Sequence, residues 1–406
     1  MSFSDTQEQK ISAEERLSRF TAALGQEARI LAEGTGSLVM VEVIAGALLV
    51  TMGVPLLGFP MGLMVLAILT LLRISKPSRF DVPNRSLFAA VLLLGLTYVA
   101  ITSLNVGIST PDDVGRRLAR ISILIAVLLL IADRRIDFRS LILGLAIGLV
   151  VNALAFYAGI APNNYSGALT GWLNDKNVSG LYYGIIPILM FGLFPKTSHR
   201  ILTLVIFLPL LWETGSRTSM AGLLIGVLWI LFAQKVNVVL KFGLGAFVAW
   251  LFEWLQTNFA DNPIFGDRTG TDQLRSRIDE ASWEKVSSAP WSGWGMGQAT
   301  VNILDRPFFF HNSYWTLLVE GGVIWLVLVA GLTLLSVFIW KQHGIVKGRR
   351  VLTAEAATVF LAVCSWRLGE VMLTLPWVFA VGLALSLTAR PKKSQPGSLT
   401  STDLAL

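Results

Sequence analysis

The chain has 406 residues, of which 54% are hydrophobic and only 15% charged, with a mean hydropathy of +0.64. An ordinary soluble domain carries roughly 25% charged residues, so this balance excludes a cytosolic enzyme, a disordered tail protein and a disulfide scaffold. The expectation is an all-α, polytopic integral membrane protein with about 12 transmembrane helices, each needing about 20 apolar residues.

Residues 1–37 are polar and are read as a cytoplasmic tail rather than a signal peptide. Within them Leu17, Phe20, Leu24, Ala28 and Leu31 recur three or four apart. That spacing fits an amphipathic helix lying on the membrane surface, or a solvated helix docked on the protein. Apolar runs follow at 38–53, 55–72, 86–105, 118–132, 140–160, 178–194, 201–212, 218–233 and 236–256, giving nine spans within 38–256. Pro187, Pro209 and Pro376 mark positions where a helix is expected to kink or unwind. A large periplasmic loop occupies 257–312, spans 10–12 occupy 313–388, and a cytoplasmic tail covers 389–406. With both termini in the cytoplasm, every short inner loop carries Lys or Arg, as the positive-inside bias requires. The outer side then holds one third of the basic residues. This bias accounts for the formal charge of +7, and no nucleic-acid partner is expected.

In the long loop, residues 272–287 suit a helix with Leu274, Ile278, Ala281 and Lys285 on one face and Arg275 and Arg277 elsewhere. Short polar junctions at span ends gather on the outer side: Asn174-Asp175-Lys176-Asn177, Gly215-Ser216-Arg217-Thr218, Gly293-Trp294-Gly295-Met296-Gly297, and His311-Asn312-Ser313-Tyr314-Trp315 with Glu320 beyond. His311 is the one histidine on that side. Its near-neutral titration suits proton acceptance from a hydroxyl, whereas the plain alternative is a hydrogen bond at the helix start. Arg217 offers a guanidinium fork matched to phosphate oxygens, against simple snorkelling to the headgroups. Glu320 lies about two turns inside span ten, where an acid implies function or a buried partner, Arg217 or Arg367 being the candidates. Phe308, Phe309 and Phe310 read as an interfacial anchor. The Gly293–Gly297 run lacks nucleotide-binding spacing and reads as a tight turn on the outer surface. No metal-ligand spacing and no ATP motif appears, so neither metal nor cofactor is expected.

These junctions, in this order on one membrane face, resemble the O-antigen ligase and O-antigen polymerase superfamily of bacterial envelope glycosyltransferases. The resemblance covers most of residues 38–390, with its specific residues between 174 and 322. It implies transfer of a glycan from undecaprenyl diphosphate to an acceptor hydroxyl at the periplasmic face of the inner membrane. The acceptor is lipid A–core in ligases, the favoured type, and another lipid-linked repeat in polymerases. It further implies His311 as general base or acceptor-orienting group, and Arg217 as diphosphate stabiliser. Arg268, Arg275, Arg277, Asn312, Glu320 and Asn177 are candidate binding residues for diphosphate or acceptor, and spacing does not rank the loop arginines. The competing class is a lipid-linked glycan flippase or secondary transporter, which tends to show related halves and broken spans at the midplane.

Overall fold

We describe the protein from a computed structural model covering residues 38–78, 80–106, 111–165, 167–233, 269–339 and 348–392, with Leu240, Gly243 and Phe247 as single positions. The amphipathic N-terminal segment, nearly all of the run at 236–256, Arg268 and the C-terminal tail beyond Lys392 lie outside the described residues. Glu42–Lys392 forms one compact unit, and the following account concerns that unit.

The described chain is mostly helical. The first eight apolar runs give α1 (Met40–Leu48), α2 (Met61–Ile74), α3 (Arg85–Val106), α4 (Pro111–Ala132), α5 (Phe138–Tyr157), α6 (Lys176–Leu193), α7 (Thr197–Glu213) and α8 (Arg217–Phe232). The loop helix α9 (Thr269–Ser287) is followed by α10 (Ser313–Leu334), α11 (Arg349–Arg367) and α12 (Leu375–Ser386). Among the described residues, three helices are long and apolar enough to cross a membrane: Arg85–Val106, Phe138–Tyr157 and Ser313–Phe338. Their outward faces present large apolar side chains such as Leu94, Leu154 and Val327, as a lipid-facing surface would.

Among the described residues, α5, α6 and α10 start at side-chain caps that satisfy first-turn N–H groups. Asp137 accepts from the Ser140 N–H at α5, Asp175 from Asn177 and Val178 at α6, and Asn312 from Tyr314 and Trp315 at α10. Three two-stranded antiparallel ribbons complete the unit. β1 (Pro55–Leu56) pairs with β2 (Phe59–Pro60), so the second apolar run opens as a hairpin and becomes helical only at Met61. β3 (Phe80–Asp81) pairs with β6 (Arg390–Pro391), and β4 (Thr300–Ile303) with β5 (Arg306–Phe309).

Close packing of α1 on α5 depends on small residues. A Cβ at Gly144 would lie 2.0 Å from the Val43 carbonyl oxygen, and one at Gly148 would lie 2.3 Å from that of Ala47. Only hydrogen at these positions lets the two backbones touch. Elsewhere α11 packs against α6 and α8, and α12 against α4, burying Phe360, Trp377 and Tyr183 completely.

The prolines do not break helices as expected. Pro187 and Pro209 sit inside continuous helices, and Pro376 lies in the first turn of α12, where a missing N–H costs nothing. The break falls instead at Gly322 in α10, where φ is 68° and ψ is −167°. The interruption frees backbone groups that the Trp291–Gly297 turn takes up. Trp294 N–H donates to the Val319 carbonyl at 2.6 Å, Gly295 N–H to that of Glu320 at 3.1 Å, and Val323 N–H to that of Trp291 at 3.3 Å. The Gly293–Gly297 run is therefore a wedge in the break of α10, with Met296 buried, and not a surface turn.

Candidate active site

The helix ends nearest α10's start enclose a cavity of about 1390 Å³. Its wall is polar at the ends of α4, α6, α8 and α11, where Arg117, Arg120, Lys176, Asn177, Arg217 and Arg367 line it. Deeper, Met52, Leu63, Leu124, Leu181 and Ala221 give an apolar side. Such a pocket, mostly apolar with a few convergent polar groups, is the usual form of a small-molecule site.

Local sequence explains how each polar group reaches the wall. At the start of α6, Asn174 adopts a left-handed φ of 64°, and Asp175 turns back to cap the helix. The free oxygen of Asp175 accepts a 2.7 Å hydrogen bond from the Tyr165 hydroxyl. Burial, then the Asp175 carboxylate, pushes the Tyr165 phenol up to about 12. Asn177 follows in the first turn. The Gly215-Ser216 turn, with Gly215 at φ 64°, puts Arg217 at the first position of α8. A Cβ on Gly180 would lie 2.3 Å from that of Ser216, so α6 and α8 begin side by side and bring Asn177 and Arg217 to the same wall.

His311 is fixed from both sides. Phe310, buried against Ala299 and Val319, donates its N–H to the Ala299 carbonyl. On the other side Ser313 Oγ donates to the Gly369 carbonyl and accepts from the Val371 N–H at 2.8 Å. Nδ1 of His311 lies 3.6 Å from Oδ1 of Asp279 on α9. The other oxygen of Asp279 is 3.2 Å from Arg367. A carboxylate facing Nδ1 favours the tautomer with its proton there, which leaves Nε2 as the basic nitrogen.

A second ionic group forms the adjoining wall. Arg117 on α4 binds both Glu320 of α10, at 2.6 Å, and Glu370 of the α11–α12 loop; Arg120 reaches Glu370 at 2.7 Å. Glu320 also accepts the Gly297 N–H at 3.0 Å. Burial alone would raise the Glu370 carboxyl, but Arg117 and Arg120 outweigh it and hold the group at about 2. Among the described residues, no three His, Cys, Asp or Glu side chains converge as metal ligands.

Among the candidates read from sequence, the structure therefore brings together His311, Arg217, Asn177 and Arg275 at one cavity. Arg277, one helical step from the cavity face, is exposed and does not line it. Asn312 is buried as the cap of α10 and Glu320 is held by Arg117, so neither faces the cavity as expected, and Glu320 pairs with neither Arg217 nor Arg367. Arg268 lies outside the described residues. Of the three phenylalanines, Phe310 is core while Phe309 is exposed at the cavity rim.

The sequence reading missed Arg117, Arg120, Glu370 and Asp279. Arg117 and Arg120 carried a signal, since they stand one turn apart on an apolar helix. Glu370, in a short loop, carried none. No family model matches the chain, and no curated protein matches it. The resemblance to envelope glycosyltransferases thus rests on the junctions and their order; residues of three junctions line the cavity, and the Gly293–Gly297 run does not.

Proposed function

We propose that this protein is a glycosyltransferase of the O-antigen ligase type. It moves a glycan from undecaprenyl diphosphate to a hydroxyl of lipid A–core at the periplasmic face of a bacterial inner membrane. The observation that carries the reading is the convergence of Arg217, Asn177, Arg275 and the His311–Asp279 pair on one cavity, from four separate elements of sequence.

The twelve-span topology belongs to the same reading. Counting each apolar run as a span, with the ninth at 236–256, the even spans α4, α6, α8, α10 and α12 all begin at the cavity and the odd span α11 ends there. One side of the membrane then carries the whole polar wall. The arrangement supports an outer-face site with both termini in the cytoplasm.

His311 accepts the proton of the acceptor hydroxyl while that oxygen attacks the anomeric carbon of the donor. The bond from that carbon to the diphosphate oxygen breaks, its electron pair leaves with undecaprenyl diphosphate, and the configuration inverts. Arg217, with Arg275 lining the same cavity, stabilises the charge developing on the diphosphate. No metal ion is assigned a step. The apolar side of the cavity, at Leu63, Leu124 and Leu181, suits the first units of the polyprenyl chain. A positioned base contributes about 10²–10⁴-fold in rate, and a fixed donor to the developing charge about 10²–10³-fold.

His311→Ala and Arg217→Ala are expected to abolish polysaccharide attachment to lipid A–core while the proteins insert at normal levels. Arg275→Ala should reduce it and Arg277→Ala leave it near wild type. Full activity of His311→Ala would overturn the mechanism, as would loss of activity on chelation that divalent metal restores. A deletion strain bearing a single repeat on its core would assign a polymerase instead, and one bearing none a ligase.

A further inference from the structure

At the helix ends opposite the cavity, arginines gather without enough carboxylates to pair them. Arg134 follows α4, Arg139 lies in the first turn of α5, and Arg349 and Arg350 open α11. Arg134 donates to the Ser386 carbonyl at the end of α12, at 3.2 Å, and stacks over Phe80 with its guanidinium carbon 4.5 Å from the ring centre. Arg349 donates to the carbonyls of Phe194 and Pro195, at 2.8 and 2.9 Å, and Arg200 donates to the same two. Arg350 makes no hydrogen bond or ion pair among the described residues, and it lies near enough to Arg134 and Arg139 for the like charges to repel.

Arg139 is the informative member. It is only 8% exposed, yet its Nη2 is buried with no hydrogen-bond partner. A desolvated guanidinium edge beside a second cation is costly unless an anion completes it. The nearby acids are engaged elsewhere. Asp137 spends one oxygen capping α5 and offers Arg139 its charge but no hydrogen bond, and Asp133 binds Arg85 at 2.9 Å and Arg135 at 3.4 Å.

We infer that Arg134, Arg139 and Arg350 form a binding site for a phosphate group, supplied by the headgroup of an anionic phospholipid. Guanidinium forks match phosphate oxygens, and basic clusters at inner span ends are where anionic headgroups bind. The level is right for a headgroup. Arg367 and Arg350 on α11 are 17 positions apart, or about 25 Å of helix, and Arg117 lies near the start of α4 while Arg134 lies just past its end. The cavity and this cluster thus sit near opposite faces of one hydrocarbon layer. The site shares the proposed membrane orientation but none of the cavity's chemistry, so its success or failure is independent of glycan transfer.

The test uses the purified full chain in a neutral detergent, titrated with short-chain phosphatidylglycerol while the unfolding midpoint is followed. Short-chain phosphatidylcholine and inorganic phosphate are titrated in parallel. The wild type should show a saturable rise with phosphatidylglycerol and a weaker one with phosphatidylcholine. Arg139→Gln and Arg350→Gln should each weaken the apparent affinity about tenfold or more, and Arg277→Gln should not change it. Should Arg139→Gln fail to fold, the less buried Arg350→Gln carries the comparison. A rise with inorganic phosphate and none with lipid would keep the phosphate site but overturn the lipid as its source. No saturable rise with either, or an equal rise in both cluster variants, would overturn the site.

Discussion

At the scale of single residues, the cavity depends on pairs that lie far apart in the chain. His311 was legible in the sequence because a lone outer histidine at a capped helix start is unusual, and Arg217 because a Gly-Ser turn places it at one. Asp279 was not, since nothing in the local pattern of α9 distinguishes it from Glu280 and only the packed structure brings it to His311. The same holds between Arg275 and Arg277, which spacing could not rank and the cavity does. Asp279 faces His311 Nδ1 at 3.6 Å and accepts from Arg367, so Asp279→Asn keeps the volume but loses the negative charge facing Nδ1. We expect the transfer rate to fall about 10–10²-fold, less than removing the base itself, with the apparent donor affinity little changed. A single-turnover assay in proteoliposomes checks this. Equal rates for Asp279→Asn and wild type would leave Asp279 a bystander.

At the scale of elements, the apolar runs within the described residues mapped onto helices because a helix satisfies its own backbone, which an apolar surrounding requires. The proline positions misled because a proline within a packed helix can be accommodated by its neighbours, whereas the real interruption needed a partner segment that local sequence does not reveal. Gly322 breaks α10 only because the Trp291–Gly297 turn supplies replacement donors and an acceptor. The two glycine-rich motifs, read separately in sequence, are thus one structure. Gly322→Ala tests it. A Cβ there would lie 1.8 Å from the Trp291 carbonyl oxygen, and φ of 68° with ψ of −167° is open essentially to glycine alone. We expect a loss of about 2–3 kcal/mol or more, read as a lower unfolding midpoint in detergent. Loss of activity should follow, because the wedge also supplies the Gly297 N–H to Glu320. An unchanged midpoint would show that the wedge is not needed.

At the scale of the whole molecule, the Arg117–Glu320–Glu370–Arg120 group joins four parts of the chain: α4, the break in α10, the wedge through Gly297, and the α11–α12 loop that anchors Ser313 beside His311. Two cations and two carboxylates leave the group with no net formal charge, so it can sit beside the cavity without adding to the charge of its wall. Its energetic signature is set by Glu370. With its folded carboxyl held at about 2 and an ordinary glutamate near 4.3 when unfolded, the native state binds protons less readily than the unfolded chain. This stabilisation is complete above about pH 4.3 and is lost as pH falls toward 2. The unfolding midpoint of the wild type should drop across that window, and Glu370→Gln should lack that part of the drop. At neutral pH Glu370→Gln should be less stable by about 1–3 kcal/mol, less than for a fully buried pair because the Glu370 side chain is 28% exposed. Because the loop carrying Glu370 also holds Ser313, the variant should lose transfer activity at temperatures where its helices remain folded. Near-ultraviolet and far-ultraviolet circular dichroism recorded with the activity assay would separate those two effects. If wild type and Glu370→Gln lose stability in parallel from pH 5 to pH 2, the group does not tie the cavity wall to the rest of the fold.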